Sequence, residues 1–222
     1  MFDAILQSLP IAVGMVLATL PGLAIPLILT TRREIRVLLA FMAGYAGGFL
    51  VAGGLVISLA DYATPSDAGP ARWIVWLRIL LGLTLLVLAW RKWQGRTAPG
   101  DVEDVPGWMK SIDTIHASRA ALLGFALVTL NPKNVVLVAS GGLAIAQATP
   151  DPLAQVGALL VFTAVSGIGI AMPYLMWITM GEAAIAPLDR LKVIMARNNT
   201  LIVTVILGVL GLVVVVNALA YL

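Results

Sequence analysis

The sequence predicts an all-α membrane protein whose six transmembrane helices form two inverted repeats of three helices each. Three observations lead to this prediction: the composition, six long apolar stretches, and basic residues that gather on one side. Of the 222 residues, 60% are hydrophobic and 11% are charged, whereas about a quarter of the residues in a soluble domain are charged. The chain contains no cysteine, so disulfide bonds and thiol chemistry are excluded.

Six apolar stretches are separated by charged or turn-forming segments. A helix needs about 20 residues to cross the hydrocarbon core of a bilayer, and most of these stretches are longer. We number them spans 1 to 6, and they cover residues 4–31, 37–60, 73–90, 120–148, 153–181 and 198–222. The third span is the shortest, and interfacial aromatic residues mark its two ends: Trp73, Trp76, Trp90 and Trp93.

The basic residues lie on one side of the predicted membrane. The segments that follow spans 1, 3 and 5 hold three, five and three Lys or Arg residues, and the opposite side holds only Arg72. The positive-inside rule therefore places these three segments in the cytoplasm and both termini outside it. The N-terminal residues lack the basic cluster of a signal peptide, so we expect them to be retained as part of span 1. We expect a multi-pass protein of the bacterial inner membrane.

A polar segment divides the six spans into two halves. The sequence QGRTAPGDVEDVPG is rich in glycine, proline and acidic residues, which is typical of a flexible linker. Its continuation fits either a short amphipathic helix on the inner leaflet or a solvated loop. The predicted units are a first three-helix repeat, a cytoplasmic linker and a second three-helix repeat, which cover residues 1–93, 94–119 and 120–222.

Similar residues recur at matching places in the two halves. Thr19-Leu20-Pro21 of span 1 aligns with Thr129-Leu130, followed by Asn131-Pro132, in span 4. FMAGYAGG in span 2 aligns with FTAVSGIG in span 5. Because each half has three spans, the two halves would insert with opposite orientations, which is the repeat architecture of many transporters.

Prolines lie deep in spans 1 and 4. A proline removes one backbone donor and clashes with the preceding turn, so we expect each helix to break or kink at Pro21 and Pro132. Pro26 and Gly22 add further points of interruption in span 1. Broken backbone at membrane depth is tolerated where protein or a water-filled cavity supplies hydrogen-bond partners. A plain kink without function is the alternative, and for Pro21 and Pro26 alone it is the favoured interpretation.

Lys133 lies near the middle of span 4, and the six apolar stretches contain no acidic residue. A charged lysine at that depth costs a few kcal/mol and normally faces a cavity. Asn131 and Asn134 flank it, and the helix that restarts after Pro132 presents backbone N–H groups. We hypothesise that Asn131, Lys133 and Asn134 bind an anionic group near the midplane. The alternative is a structural lysine that caps backbone carbonyls or is neutral through desolvation.

Two further residues are candidate substrate contacts. Thr19 is the counterpart of Thr129 in the proposed repeat, and Arg78 lies in span 3. Arg78 lies near the outer end of span 3, and the favoured interpretation is an anchor that snorkels toward the outer surface and pairs with Asp61 or Asp67.

The sequence lacks the motifs of several other classes of protein. It contains no H-E-x-x-H, G-x-S-x-G or Walker sequence and no Cys or His cluster, so it offers no signature of a protease, an ATP-driven pump or a metal centre. We therefore predict no catalytic residue, no metal and no cofactor, and we expect a carrier rather than an enzyme.

The segment LNPKNVVLVASGGLAIAQA resembles the lysine-exporter superfamily and, within it, most closely the Gap/Sap family of peptidoglycolipid- or sulfolipid-addressing proteins. Asn131, Pro132 and Lys133 carry the resemblance, and the layout of the whole chain agrees with it. Leu20-Pro21-Gly22-Leu23 stands where many amino-acid exporters have Pro-Gly-Pro, which favours the lipid-addressing branch. The resemblance implies a carrier that exports or translocates a glycolipid or peptidoglycolipid toward the cell surface.

The resemblance also implies partners, namely membrane lipids, a lipid-type substrate and other envelope lipid-export proteins. A homo-oligomer is compatible with the sequence, and nothing in it indicates a nucleic-acid partner. Two alternatives stay open. One is an exporter of amino acids or small metabolites, and the other is a scaffold of a lipid-export complex that transports nothing itself.

Overall fold

The structure is a computed structural model that describes residues 1–19, 35–63, 72–95 and 116–219. These residues form seven α-helices and one short 3-10 helix at Gly181–Ala184, without a β-strand among them. The α-helices, in chain order, are α1 Phe2–Thr19, α2 Ile35–Ala63, α3 Arg72–Gln94, α4 Ala117–Thr129, α5 Pro132–Ala148, α6 Pro152–Met180 and α7 Ile185–Leu219. Most of the predicted linker and the predicted interruptions at Pro21, Gly22 and Pro26 lie outside the described residues.

The helices differ in how well they meet the requirements of a membrane span. By length and composition, α2 and α6 are long and apolar enough to cross a bilayer, and α4 with α5 makes a third candidate if the bent pair is one span. Shorter apolar segments lie at Phe2–Leu17 in α1 and at Thr200–Val216 in α7. The described residues thus provide two or three candidate spans.

Several helices have an apolar face that the described residues leave uncovered. On α7 this face has the spacing of one helical stripe, and each of its residues is more than half exposed: Leu201, Val205, Val209, Leu212 and Val216. Exposed leucines and valines likewise follow the outer faces of α2 and α3. Soluble monomers rarely expose contiguous apolar surfaces of this kind. The protein is therefore a membrane protein whose uncovered faces fit a lipid environment.

Aromatic packing joins α2 to α6 in the core. Phe41, Tyr45 and Phe49 follow one face of α2, and Phe49 meets Phe162 of α6 with ring centroids 5.9 Å apart. Farther along, Gln155 Nε2 of α6 donates to Asp61 Oδ1 at 3.1 Å, close to the end of α2. Because later residues of α2 meet earlier residues of α6, the two helices run antiparallel.

Glycines permit two close helix contacts. A Cβ at Gly124 would collide with the Phe41 carbonyl, and one at Gly44 would collide with the backbone of Ala121, so α4 lies directly against α2 and parallel to it. In the antiparallel contact of α3 with α7, a Cβ at Gly82 would lie 2.9 Å from the carbonyl oxygen of Gly211. Small residues let helix backbones approach in this way, which strengthens van der Waals packing in membranes.

Candidate functional site

Span 4 is divided into two helices whose axes differ in direction by 70°. The first, α4, ends at Thr129, and the second, α5, begins at Pro132, as the sequence predicts for a break at this proline. Pro132 is the first residue of α5, a position where the missing N–H costs nothing and the fixed φ of proline favours helix initiation. The break therefore lies where the new helix can start without losing a hydrogen bond.

Two asparagines satisfy backbone groups on either side of the break. Asn131 is the N-cap of α5, and its side-chain Oδ1 accepts a hydrogen bond from the Lys133 N–H at 3.3 Å. Asn134 is buried, and its Nδ2 donates to the Leu127 carbonyl of α4 at 2.7 Å. Both residues, predicted as substrate contacts, thus also cap the two helix ends. The Oδ1 atom of Asn134 is buried and has no hydrogen-bond partner.

The break lies level with the middle of α2. A Cβ at Gly48, close to the midpoint of α2, would lie 2.8 Å from the Cβ of Val128, which is in the last turn of α4. The following helix, α5, then approaches the later part of α2, where Gly142 meets Val56 and the carbonyl of Gly53. Since α2 is itself a candidate membrane span, α5 leads obliquely from mid-depth toward the end of α2 that carries Asp61.

The surroundings of Lys133 are electropositive. Lys133 is half-buried in the first turn of α5, where the helix dipole places its positive end and a cation is disfavoured. Lys92, in the last turn of α3, is near enough to exert like-charge repulsion on it. The helix N-terminus and two lysines therefore combine to favour a negatively charged group at the break.

The structure describes the other candidate contacts unevenly. Arg78 is 7% exposed, so its side chain packs inside the protein, whereas an anchor that snorkels to the outer surface would be exposed. Thr19 is the last residue of α1, and its side chain lies outside the described part of the chain, as does Asp67. Asp61 accepts a hydrogen bond from Gln155.

Polar atoms that the sequence interpretation missed lie inside the helix packing. Ser140 Oγ and both amide atoms of Gln147 on α5, together with Thr163 Oγ1 and Ser166 Oγ on α6, are buried without a hydrogen-bond partner. A sequence signal for part of this set exists, because Lys133, Ser140 and Gln147 follow one another at intervals of seven residues. Among the described residues, no group of three or more His, Cys, Asp or Glu residues could hold a metal ion.

The fold and the break define an all-helical membrane protein with an electropositive helix break inside its helix packing. The family model of Sap, sulfolipid-1-addressing protein, matches residues 9–220. The chain therefore belongs to the Sap, sulfolipid-1-addressing protein family, which confirms the resemblance to Sap proteins and supports a role in lipid addressing or export. Membership of the wider lysine-exporter superfamily stays a prediction. No curated protein matches the chain, and no solved structure matches it either.

Proposed function

We propose that this protein is a carrier, not an enzyme, that translocates an anionic amphiphilic lipid of the glycolipid type across the bacterial inner membrane toward the cell surface. Lys133 would contact the anionic part of the head group. The observation that carries the proposal is the electropositive break between α4 and α5, level with the middle of a candidate span. The description of the family, which names a sulfolipid, supports a lipid with an anionic head.

The position of Lys133 carries an electrostatic cost that such a substrate would offset. A lysine near the centre of a membrane costs a few kcal/mol, and the positive end of the α5 dipole and Lys92 add to the electrostatic cost. Residues that violate local stability rules concentrate at functional sites. An anionic head group would be attracted by Lys133, by Lys92 and by the N-terminus of α5, and these attractions would offset the repulsion among the three.

Helix contacts support an inverted repeat of six spans. Spans 1, 2 and 3 correspond to α1, α2 and α3, span 4 corresponds to α4 with α5, and spans 5 and 6 correspond to α6 and α7. If the two halves are exchanged, the contact of α2 with α4 becomes that of α6 with α1, and the contact of α1 with α7 becomes that of α5 with α3. All four contacts are present. The contacts of α3 with α7, α2 with α6 and α1 with α5 are each converted into themselves. Inverted-repeat carriers commonly bind their substrate where such halves meet.

The helix directions support alternating passes through the membrane. Helices α2 and α4 run parallel, as two even-numbered spans must if consecutive spans alternate in direction. Helices α2 and α6 (spans 2 and 5) and helices α3 and α7 (spans 3 and 6) run antiparallel, as an even-numbered and an odd-numbered span must. With the basic segments in the cytoplasm, the end of α2 at Asp61 faces outward. The second half of span 4 then leads from the break toward the outer surface.

The proposal is tested in vesicles that contain this protein alone. NBD-labelled sulfatide, a sulfated galactolipid, is placed in both leaflets, and the rate at which label from the protected leaflet becomes accessible to dithionite is measured. We expect the wild type to translocate sulfatide and Lys133→Gln to reduce the initial rate at least tenfold. Arg119→Gln removes the same charge from an exposed position at the start of α4 and should retain the wild-type rate.

Three outcomes would contradict the proposal. A wild type that moves no labelled lipid would favour the scaffold alternative, and efflux of an amino acid without lipid movement would favour the exporter alternative. Equal loss in Lys133→Gln and Arg119→Gln would assign the effect to net charge and remove Lys133 from the site.

A further inference from the structure

Three polar residues share one face of α5. Lys133, Ser140 and Gln147 are seven residues apart, and seven residues at 100° each fall only about 20° short of two full turns. Each interval rises about 10 Å along the helix axis. The three side chains therefore form a stripe, which we call the α5 stripe, that begins at the break and ends near the last residue of the helix.

The last two residues of the α5 stripe, Ser140 and Gln147, have unpaired polar atoms inside the protein. Ser140 is 2% exposed and its Oγ has no hydrogen-bond partner, and both Nε2 and Oε1 of Gln147 are buried without one. Three other helical hydroxyls are satisfied locally, because Thr84, Thr129 and Thr179 each donate to the carbonyl four residues earlier, at 2.8–3.0 Å. A buried polar group without a hydrogen bond costs about 1–3 kcal/mol in stability, so we expect these atoms to bind a hydrogen-bonding partner.

Additional unpaired hydroxyls lie in the same layer of the protein. Helix α6 meets α5 where a Cβ at Gly141 would lie 2.6 Å from the ring of Phe162. Gly141 is next to Ser140, and Phe162 is next to Thr163, whose Oγ1 is also buried without a partner. Polar groups that are available for hydrogen bonding therefore occur on both helices at this contact.

We propose that Ser140 and Gln147 form a second head-group contact, which binds the uncharged hydroxyl or amide groups of the lipid as it moves from the break toward the Asp61 end. This inference rests on the proposed function and specifies its substrate class further. A serine hydroxyl and a glutamine amide each donate and accept, which complements a sugar hydroxyl. The α5 stripe thus combines a contact for the anionic group with a contact for the sugar of the same head group.

The order of the contacts suits release as well as binding. An ion pair with Lys133 holds the head group at mid-depth, and the neutral hydrogen bonds beyond it are weaker. Conduction through a membrane requires sites that are favourable enough to enter and weak enough to leave. The α5 stripe is about 20 Å long and leads obliquely from the break toward the end of α2 that carries Asp61.

The inference is tested with two labelled lipids in the same vesicles. NBD-sulfatide carries a sugar and a sulfate, whereas NBD-phosphatidic acid carries an anionic group without a sugar. We expect Ser140→Ala and Gln147→Leu each to slow sulfatide at least fivefold and to leave any movement of phosphatidic acid within twofold. Thr84→Val and Gln7→Leu remove the same kinds of group from a half-buried position on α3 and an exposed position on α1, both outside the α5 stripe, and should leave both rates unchanged.

The outcomes separate this inference from the proposed function. If the wild type moves sulfatide and both α5 variants move it at the same rate, the second contact is wrong while the carrier stands. Equal slowing of both lipids would show that Ser140 and Gln147 do not recognise the sugar, and would also overturn the inference. If the wild type moves neither lipid, the proposed function itself fails.

A labelling experiment tests the site without relying on transport. Because the chain has no cysteine, Ser140→Cys introduces a single thiol. We expect it to react with methanethiosulfonate ethylsulfonate, and sulfatide to slow this reaction at least threefold. Val138→Cys is the control, because Val138 is as buried as Ser140, at 1% and 2% exposed, but lies about 160° from Ser140 around the helix, so it should stay unlabelled. An unreactive Ser140→Cys, or one that sulfatide does not protect, would overturn the inference.

Discussion

Two prolines of the described helices have opposite consequences. At Pro132 the chain ends one helix and starts another at an angle of 70°, whereas Pro173 lies inside α6, which continues without interruption for 29 residues. Pro10 likewise lies inside α1. A proline in a membrane span is therefore not sufficient to divide the helix.

The neighbouring side chains explain the difference. Asn131 caps the start of α5, and Asn134 donates to the Leu127 carbonyl near the end of α4, so the break leaves fewer backbone groups unpaired. Pro173 stands between Met172 and Tyr174 in an apolar sequence that offers no comparable cap. A break there would leave several donors and acceptors unsatisfied, and continuing the helix with one lost hydrogen bond costs less. Capping residues, more than proline, determine where the chain bends.

The largest effect is expected where α4 is held against α2, because this contact fixes the direction of the short helix before the break. Gly124→Ala would place a methyl group on the Phe41 carbonyl, and we expect it to lower the free energy of unfolding by about 3 kcal/mol. The measurement is equilibrium unfolding in mixed SDS micelles.

Gly47 of α2 provides the matched control for this prediction, since no atom lies within 4 Å of a Cβ built there. Gly47→Ala should raise stability by about 0.5 kcal/mol through helix propensity. Similar stability changes in the two variants would show that the close contact of α4 with α2 does not hold the bend.

The sequence predicts more of the helix positions than of their contacts. Apolar length identified α2 and α6, and the proline deep in span 4 located the break at Pro132. The capping roles of Asn131 and Asn134 depend on which carbonyl lies within reach after the bend, and that distance is a property of the tertiary structure. From the sequence alone, both residues are therefore predicted only as substrate contacts.

An intermediate effect is expected for the cap that joins the two helices. Asn134→Ala removes the donor to the Leu127 carbonyl, and we expect a loss of about 2 kcal/mol in the free energy of unfolding. The bend should also open. Spin labels at Leu122→Cys and Leu153→Cys, both on exposed residues, should move apart by several ångströms, measured by electron–electron double resonance. An unchanged distance with unchanged stability would contradict the role of the cap.

The burial of each candidate contact is known only from the structure, and it changes how Arg78, Ser140 and Gln147 are interpreted. Arg78 was interpreted from its place near the end of span 3, yet it is buried, because it shares the inward face of α3 with Val75 and Leu85. Ser140 and Gln147 are ordinary residues in an apolar span when they are considered one at a time. Their importance emerges when helix geometry places them on the face of Lys133 and burial leaves their polar atoms unpaired.

The smallest effects are expected from the prolines themselves. Pro173→Ala restores a backbone donor to the interior of α6 but removes a buried ring, and Pro132→Ala places a good helix former in the first position of α5. We expect each variant to change the free energy of unfolding by about 0.5 kcal/mol. We also expect Pro132→Ala to keep the wild-type distance between labels at Leu122 and Leu153, because Asn131 and Asn134 still cap the helix ends. If Pro132→Ala lengthened that distance as much as Asn134→Ala, proline rather than the caps would hold the bend, and the contrast between the two spans would then require a different explanation at Pro173.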